Sequence, residues 1–94
     1  MDLTHVDGED RGEVLLFALS TCVWCRKTRK LLDGLGVEYS YVYIDKLSDS
    51  ARSEALEEME RHNPVKSFPT VVINGDTVVA GHDPNRLREV LGVE

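Results

Sequence analysis

Few cysteines, few basic residues and no long apolar run characterise this sequence, and each shortage excludes a class of protein. Two cysteines in 94 residues are too few for the disulfide scaffold of a small secreted domain. The longest apolar run, Val14 to Leu19, is too short to cross a bilayer. The acidic start of the chain has no apolar segment of the kind found in signal peptides. We therefore expect a cytoplasmic protein that does not associate with membranes.

Acidic residues outnumber basic residues. The chain has 17 aspartates and glutamates and 11 lysines and arginines, which gives a formal net charge of -6. Broad nucleic-acid binding needs a basic surface, so we expect no nucleic-acid partner. Apolar residues make up 41% of the chain and charged residues 30%, which is typical of one globular domain. We predict a flexible N-terminal tail over residues 1–12, which are polar and acidic, and a single domain over residues 13–94.

The first half of the domain has the pattern of a βαβ unit. The run from Val14 to Leu19 predicts a strand buried on both faces. Ser20-Thr21 offers an N-cap region for a helix from Cys25 to Leu35, which Gly36 would end. The aromatic and β-branched residues from Tyr39 to Ile44 predict a second strand. A strand, helix and strand in this order imply parallel strands and a right-handed crossover.

The second half predicts a helix followed by a hairpin. Ser48-Asp49-Ser50 begins the helix and Asn63-Pro64 ends it, since proline disfavours helical geometry in the preceding residue. Two apolar strands follow, from Thr70 to Ile73 and from Thr77 to Ala80. Asn74-Gly75 between them is typical of a type I′ turn, which needs positive φ at both positions.

A last helix completes the predicted element order. Asp83 is a good N-cap, Pro84 suits the first helical position and Gly92 would end the helix. The order predicts an α/β domain in which a four-stranded mixed sheet is flanked by three helices.

The two cysteines, Cys22 and Cys25, lie at the junction between the first strand and the first helix. A thiolate is the nucleophile in disulfide exchange. The unpaired N–H groups and positive dipole end of a helix N-terminus favour a thiolate there. Two intervening residues let the second sulfur reach the first within one helical turn. The pattern C-x-x-C beside a βαβ unit is typical of thioredoxin-like redox proteins.

A zinc site is the main structural alternative for this cysteine pair. Structural zinc needs four ligands, usually including a second pair of Cys or His at short spacing. The three histidines, His5, His62 and His82, are scattered along the chain. We therefore predict no metal site.

Three segments resemble the glutaredoxin family, and the resemblance covers nearly all of the chain from Val14 to Leu91. They are the Cys-Val-Trp-Cys motif that begins at Cys22, the segment from Lys66 to Thr70, and the segment from Ala80 to Asp83. The resemblance implies a thioredoxin-like fold in which the four predicted strands have the order 2-1-3-4.

The same resemblance implies a set of binding residues. Pro69 would follow a cis peptide bond and lie against the cysteines. The backbone of Phe68 would pair with a bound thiol peptide, and Lys66 would contact a substrate carboxylate. The other end of the ligand would meet three residues after the last strand, Gly81, His82 and Asp83. Glutathione has the groups that these contacts require.

Some of these residues have simpler structural explanations. Trp24, between the cysteines, either contacts a substrate or packs at the helix start. His82 either contacts a ligand or is an incidental loop residue. Asp83 either binds a ligand or only caps the last helix.

The functional prediction is a dithiol electron carrier that reduces protein disulfides or mixed disulfides, with Cys22 as nucleophile and Cys25 as resolving thiol. The sequence has Leu19 where glutaredoxins often have lysine, and Val23-Trp24 where they commonly have Pro-Tyr. Glutathione or another low-molecular-weight thiol would be the reductant. Two alternatives are an NrdH-like redoxin reduced by a flavin-containing thioredoxin reductase and a dimer sharing an iron–sulfur cluster. We expect a monomer with no tightly bound cofactor.

Overall fold

Five strands and three α-helices are present in residues 2–93, the part of the chain that this computed structural model describes. The strands are β1 (Thr4–Val6), β2 (Val14–Ala18), β3 (Tyr39–Tyr43), β4 (Thr70–Ile73) and β5 (Thr77–Ala80). The helices are α1 (Val23–Leu35), α2 (Asp49–His62) and α3 (Pro84–Leu91), and a 3-10 turn covers Ile44–Lys46. None of the helices in residues 2–93 is long and apolar enough to span a membrane.

The strands form one mixed sheet in the order β1-β3-β2-β4-β5. β2 and β3 are parallel, as the βαβ pattern predicts, while β4 is antiparallel to both β2 and β5. The four predicted strands are β2 to β5, so their predicted order 2-1-3-4 is confirmed. Asn74 and Gly75 have φ values of 56° and 73°, as a type I′ turn requires.

The prediction of a four-stranded sheet is wrong, because the predicted N-terminal tail contributes a fifth strand. β1 is antiparallel to β3, with Thr4 opposite Tyr41 and Val6 opposite Tyr39. The Glu9 N–H also donates to the Gly36 carbonyl at 2.8 Å. Without these residues β3 would be an edge strand with unpaired backbone groups. Because β1 is short and mostly exposed, it has no periodic apolar pattern that a sequence reading could detect.

The first helix begins earlier than predicted. α1 starts at Val23, and its N-cap is Cys22 rather than Ser20-Thr21. Cys22 has extended backbone geometry, with φ -88° and ψ 116°, and its sulfur takes the place of the oxygen that usually caps a helix. The predicted stop at Gly36 is confirmed, since this residue ends α1 with a φ of 70°.

The core has two parts, one on each face of the sheet. Leu16 of β2 packs with Leu32 of α1 and Leu87 of α3 on one face. Phe17 of β2 packs with Met59 of α2 on the other face. All five of these side chains are fully buried. β2 is therefore covered on both faces, and its C-terminal end leads directly into the cysteine motif at the start of α1.

Candidate active site around Cys22 and Cys25

The two cysteines differ in exposure although they lie only one helical turn apart. Both are free thiols; Cys22 is half-buried, whereas Cys25 is 1% exposed. The Cys25 N–H donates to the Cys22 Sγ at 3.2 Å. A hydrogen bond from a helix N-terminal amide stabilises negative charge on the accepting sulfur. The geometry therefore leaves Cys22 as the accessible thiol and Cys25 as the protected one.

The Cys25 thiol is held in its protonated form. Burial, followed by its hydrogen bond with Cys22, raises the pKa of Cys25 to about 12. The charge on Cys22 adds to this shift, and so does that on Asp45. When Cys22 is part of a disulfide, its sulfur carries no negative charge and no longer opposes ionisation of Cys25. Burial and the neighbouring Cys22 therefore make Cys25 less reactive than an exposed thiol.

Asp45 anchors the loop that precedes Cys22. Its carboxylate accepts hydrogen bonds from both the backbone N–H of Ser20, at 2.8 Å, and the Ser20 hydroxyl. These two bonds lower the pKa of Asp45. Sequence reasoning missed this residue, because the contact joins positions 25 apart in sequence and no local pattern signals it.

The loop before β4 presents a cis proline next to this site. The Phe68–Pro69 peptide bond is cis, as the family resemblance implies. Pro69 is fully buried, and its carbonyl accepts from the Gly81 N–H at 2.8 Å. Thr70 Oγ1 donates to the Ser67 carbonyl at 2.7 Å, so the loop is hydrogen-bonded on both sides of the proline.

A groove of about 240 Å³ brings several of the predicted site residues together. It is lined by Trp24, Phe68, Pro69, Gly81 and His82. These residues come from α1, the cis-proline loop and the loop after β5. Through Trp24 the groove adjoins the cysteine motif.

Trp24 is 55% exposed, yet two neighbouring side chains contact its ring. The His82 ring stacks on it at 5.7 Å between centroids, and the Lys27 Nζ lies 4.5 Å from the indole centroid. His82 Nδ1 is 2.9 Å from the hydroxyl of Thr28, which is fully buried. His82 is thus part of the site. Thr28 was not identified from the sequence, although a hydroxyl group on the buried face of α1 can indicate a polar contact inside the domain.

Two of the predicted binding residues are not among those lining this groove. Lys66 Nζ is 3.5 Å from the carboxylate of Glu60, an ion pair on the protein surface. Asp83 caps α3 by accepting from the Arg86 N–H at 3.1 Å, which confirms its structural role. The Gly81 N–H donates a hydrogen bond to the Pro69 carbonyl and is therefore not free to bind a ligand. Roles for Lys66 and Asp83 in substrate binding stay predictions.

The histidines do not gather around the cysteines as ligands. Within residues 2–93, the one group of three possible metal ligands is His5, Asp7 and Glu38, which contains neither cysteine. His5 Nε2 lies 3.4 Å from Asp7 and 3.5 Å from Glu38, distances that suit exposed ion pairs. This cluster joins β1 and its surroundings to Glu38, and it does not include the cysteine motif at the start of α1.

Comparison with known proteins decides the family. The family model described as Glutaredoxin matches residues 14–78, which is more than half of the chain. The chain belongs to the glutaredoxin family. A glutaredoxin from Ricinus communis is 31% identical over 84 residues, which span 83% of this chain and 80% of that protein. The predicted family is therefore confirmed.

Solved structures of glutaredoxins agree with this assignment. The glutaredoxin of Methanosarcina mazei Go1 is 50% identical, with a TM-score of 0.90 over 96% of this chain and 87% of that one. Methanoredoxin of Methanosarcina acetivorans is 45% identical, with a TM-score of 0.89 over 90% of each chain. The predicted thioredoxin-like fold is confirmed. The family and the paired cysteines assign this protein a general role in thiol–disulfide redox chemistry.

The difference between the two thiols is testable by alkylation. We expect iodoacetamide at pH 8 to modify Cys22 at least about 100-fold faster than Cys25, because only about one Cys25 thiol in ten thousand is ionised when its pKa is near 12. The Cys25 rate should rise by roughly tenfold per pH unit, as thiolate forms. Peptide mapping by mass spectrometry measures both rates.

Unfolding the protein in guanidinium chloride provides the control, because both thiols should then react at similar rates. Equal rates in the folded protein would contradict the protected position of Cys25.

Proposed function

We propose that this glutaredoxin is a dithiol electron carrier that reduces protein disulfides or mixed disulfides, with Cys22 as nucleophile and Cys25 as resolving thiol. The observation that carries the proposal is the position of the half-buried Cys22 sulfur at the N-cap of α1, where it accepts a hydrogen bond from the Cys25 N–H at 3.2 Å. Accessibility and stabilised negative charge are what a thiol nucleophile needs.

The proposed reaction has two exchange steps. The Cys22 thiolate attacks one sulfur of the substrate disulfide, forms a bond to it and releases the other sulfur as a thiolate, which takes up a proton. Cys25 then loses its proton and attacks the Cys22 sulfur, which releases the second substrate sulfur as a thiol. Two electrons pass to the substrate, and a Cys22–Cys25 disulfide remains in the protein.

The groove beside the cysteines supports binding of the substrate segment that carries the reacting sulfur. Phe68 and Pro69 form one wall and Trp24 the other. Extended substrate backbone would lie along Phe68, whose peptide unit is held by the buried cis proline. One carboxylate oxygen of Asp83 caps α3, and the other would contact an amine of a small thiol.

The reductant that regenerates the dithiol is proposed to be glutathione or another low-molecular-weight thiol. A flavin-containing thioredoxin reductase is the second candidate, and Leu19 favours it. This side chain is half-buried against Phe17 and its neighbours. It therefore offers no cation for a carboxylate of glutathione at the position where glutaredoxins often have lysine.

Trp24 fluorescence distinguishes the two reductants. Trp24 is the single tryptophan and lies between the two cysteines, so its emission should change when the disulfide is reduced. The oxidised protein is treated with glutathione alone or with NADPH and thioredoxin reductase. Rapid reduction by glutathione identifies a small-thiol-dependent carrier. Reduction by the reductase alone supports the second candidate. A lack of reduction by either contradicts glutathione and the reductase, and leaves another low-molecular-weight thiol as the proposed reductant.

A further inference from the structure

A second and larger groove lies between α1 and α3, with a volume of about 460 Å³. Its apolar floor is formed by Leu31 and Leu35 of α1 together with Pro84 of α3, all of them half-buried. Its rim carries three cationic side chains, Lys27 and Lys30 of α1 and Arg88 of α3. We call this surface the basic groove.

The three cations of the basic groove have no carboxylate partner in residues 2–93. Five of the eleven lysines and arginines form ion pairs with carboxylates in residues 2–93, namely Arg11, Arg52, Arg61, Lys66 and Arg86. In that part of the chain Lys27, Lys30 and Arg88 form none, and Lys27 contacts only the face of Trp24. Within residues 2–93, this acidic protein with a net charge of -6 thus has three cations without ion pairs around one apolar groove.

The basic groove is continuous with the active site. His82 lines both the basic groove and the groove beside the cysteines. Along α1 the basic groove extends from Lys27 to Leu35, which is about 12 Å at the usual helical rise. An extended polypeptide spans this distance with roughly three or four residues. A substrate chain that leaves the cysteine motif past His82 therefore enters the basic groove.

We propose that the basic groove binds the segment of the substrate protein next to its reacting cysteine, and that this segment combines acidic and apolar side chains. Its carboxylates would pair with Lys30, Arg88 and Lys27. An apolar side chain between them would pack on Leu31 and Leu35. This proposal rests on the proposed function, because it names the class of substrate that the same cysteines reduce.

Charge complementarity favours an acidic substrate segment over other occupants. A second copy of this chain carries the same net charge of -6, and the overall repulsion between two such copies opposes their association. A cluster of three cations that is joined to a nucleophile is well suited to guide an anionic substrate to it, because such a field raises the rate of encounter.

The test measures oxidation of the reduced protein in a single turnover, so no reductant has to be known. The probes are nine-residue peptides with a central cysteine, flanked on each side by alanine, glutamate, leucine and glutamate. Matched peptides carry glutamine or lysine in place of every glutamate. Each peptide is a mixed disulfide with 2-mercaptoethanol. The reaction forms the Cys22–Cys25 disulfide and releases the peptide thiol and 2-mercaptoethanol, and Trp24 fluorescence follows it.

We expect the acidic peptide to react about tenfold faster than the glutamine peptide at low salt, and the lysine peptide to react more slowly than both. The advantage should shrink as salt is added, because exposed charges are screened. In a Lys30→Glu, Arg88→Glu variant the preference for the acidic peptide should disappear or reverse. Each rate is divided by the rate of the same variant with the neutral hydroxyethyl disulfide.

Lys46→Glu is the matched control, because Lys46 is also an exposed lysine without an ion pair in residues 2–93 and does not line the basic groove. This variant should keep the acidic preference. Equal rates for the three peptides, or an unchanged preference in the double variant, would overturn the proposal. A sedimentation experiment in which the wild-type protein is a dimer and the double variant a monomer would also overturn it. Failure to react with hydroxyethyl disulfide would instead contradict the proposed function.

Discussion

Replacement of Cys22 by serine is expected to abolish disulfide reduction, with a loss of at least about 1,000-fold, the order expected when a covalent nucleophile is removed. The Cys22 sulfur is the accessible member of the pair and accepts a hydrogen bond from the Cys25 N–H. Serine preserves the capping role at this position, because its hydroxyl oxygen also accepts from the helix N-terminus. The variant should therefore fold while losing the first exchange step. Stopped-flow fluorescence of Trp24 and gel analysis of a substrate disulfide measure the loss.

Circular dichroism checks that the Cys22→Ser variant is folded. A folded variant that still reduces the substrate at the wild-type rate would show that Cys22 is not the nucleophile.

Replacement of Cys25 by serine should have an equally large but different effect. The first step depends on Cys22 and should proceed, whereas the second step loses its attacking sulfur. The substrate should therefore remain attached to Cys22 as a stable mixed disulfide, and almost no fully reduced substrate should be released. Cys25 is 1% exposed, so serine places a hydroxyl group in a buried position. This hydroxyl can donate a hydrogen bond to the neighbouring Cys22 sulfur.

Non-reducing electrophoresis and intact mass measure the trapped adduct, and addition of dithiothreitol should release it. The Cys22→Ser variant is the matched control, because it should form no adduct under the same conditions. Release of reduced substrate by the Cys25→Ser variant without added thiol would show that another group resolves the mixed disulfide.

These two variants test separately the role that is proposed for each sulfur. The raised pKa of Cys25, caused first by burial and then by its contact with Cys22, keeps the second thiol from competing for substrate. In the proposed reaction, accessibility at the N-cap lets Cys22 carry out the first step. The proposed order of the two exchange steps agrees with the burial of Cys25 and the exposure of Cys22.

Much of the fold was predictable because its signals are local. The limits of β4 and β5 are those the sequence predicts, since consecutive β-branched residues and the Asn74-Gly75 turn act within a few positions. Asp83, Pro84 and Gly92 mark the ends of α3 for the same reason. β1 was not predictable, because its residues become a strand only by pairing with β3.

By itself, the sequence determined the chemistry of this protein: a strand, a turn and a helix start place Cys22 and Cys25 one helical turn apart through local spacing alone. The tertiary structure decided the surroundings. It stacks His82 on Trp24 and places its ring within hydrogen-bond distance of Thr28, and it brings Arg88 and Lys30 to the same apolar groove. Such contacts join segments far apart in the chain. Side-chain periodicity shows which face of an element is buried, but the packing of the whole domain determines which neighbour that face meets.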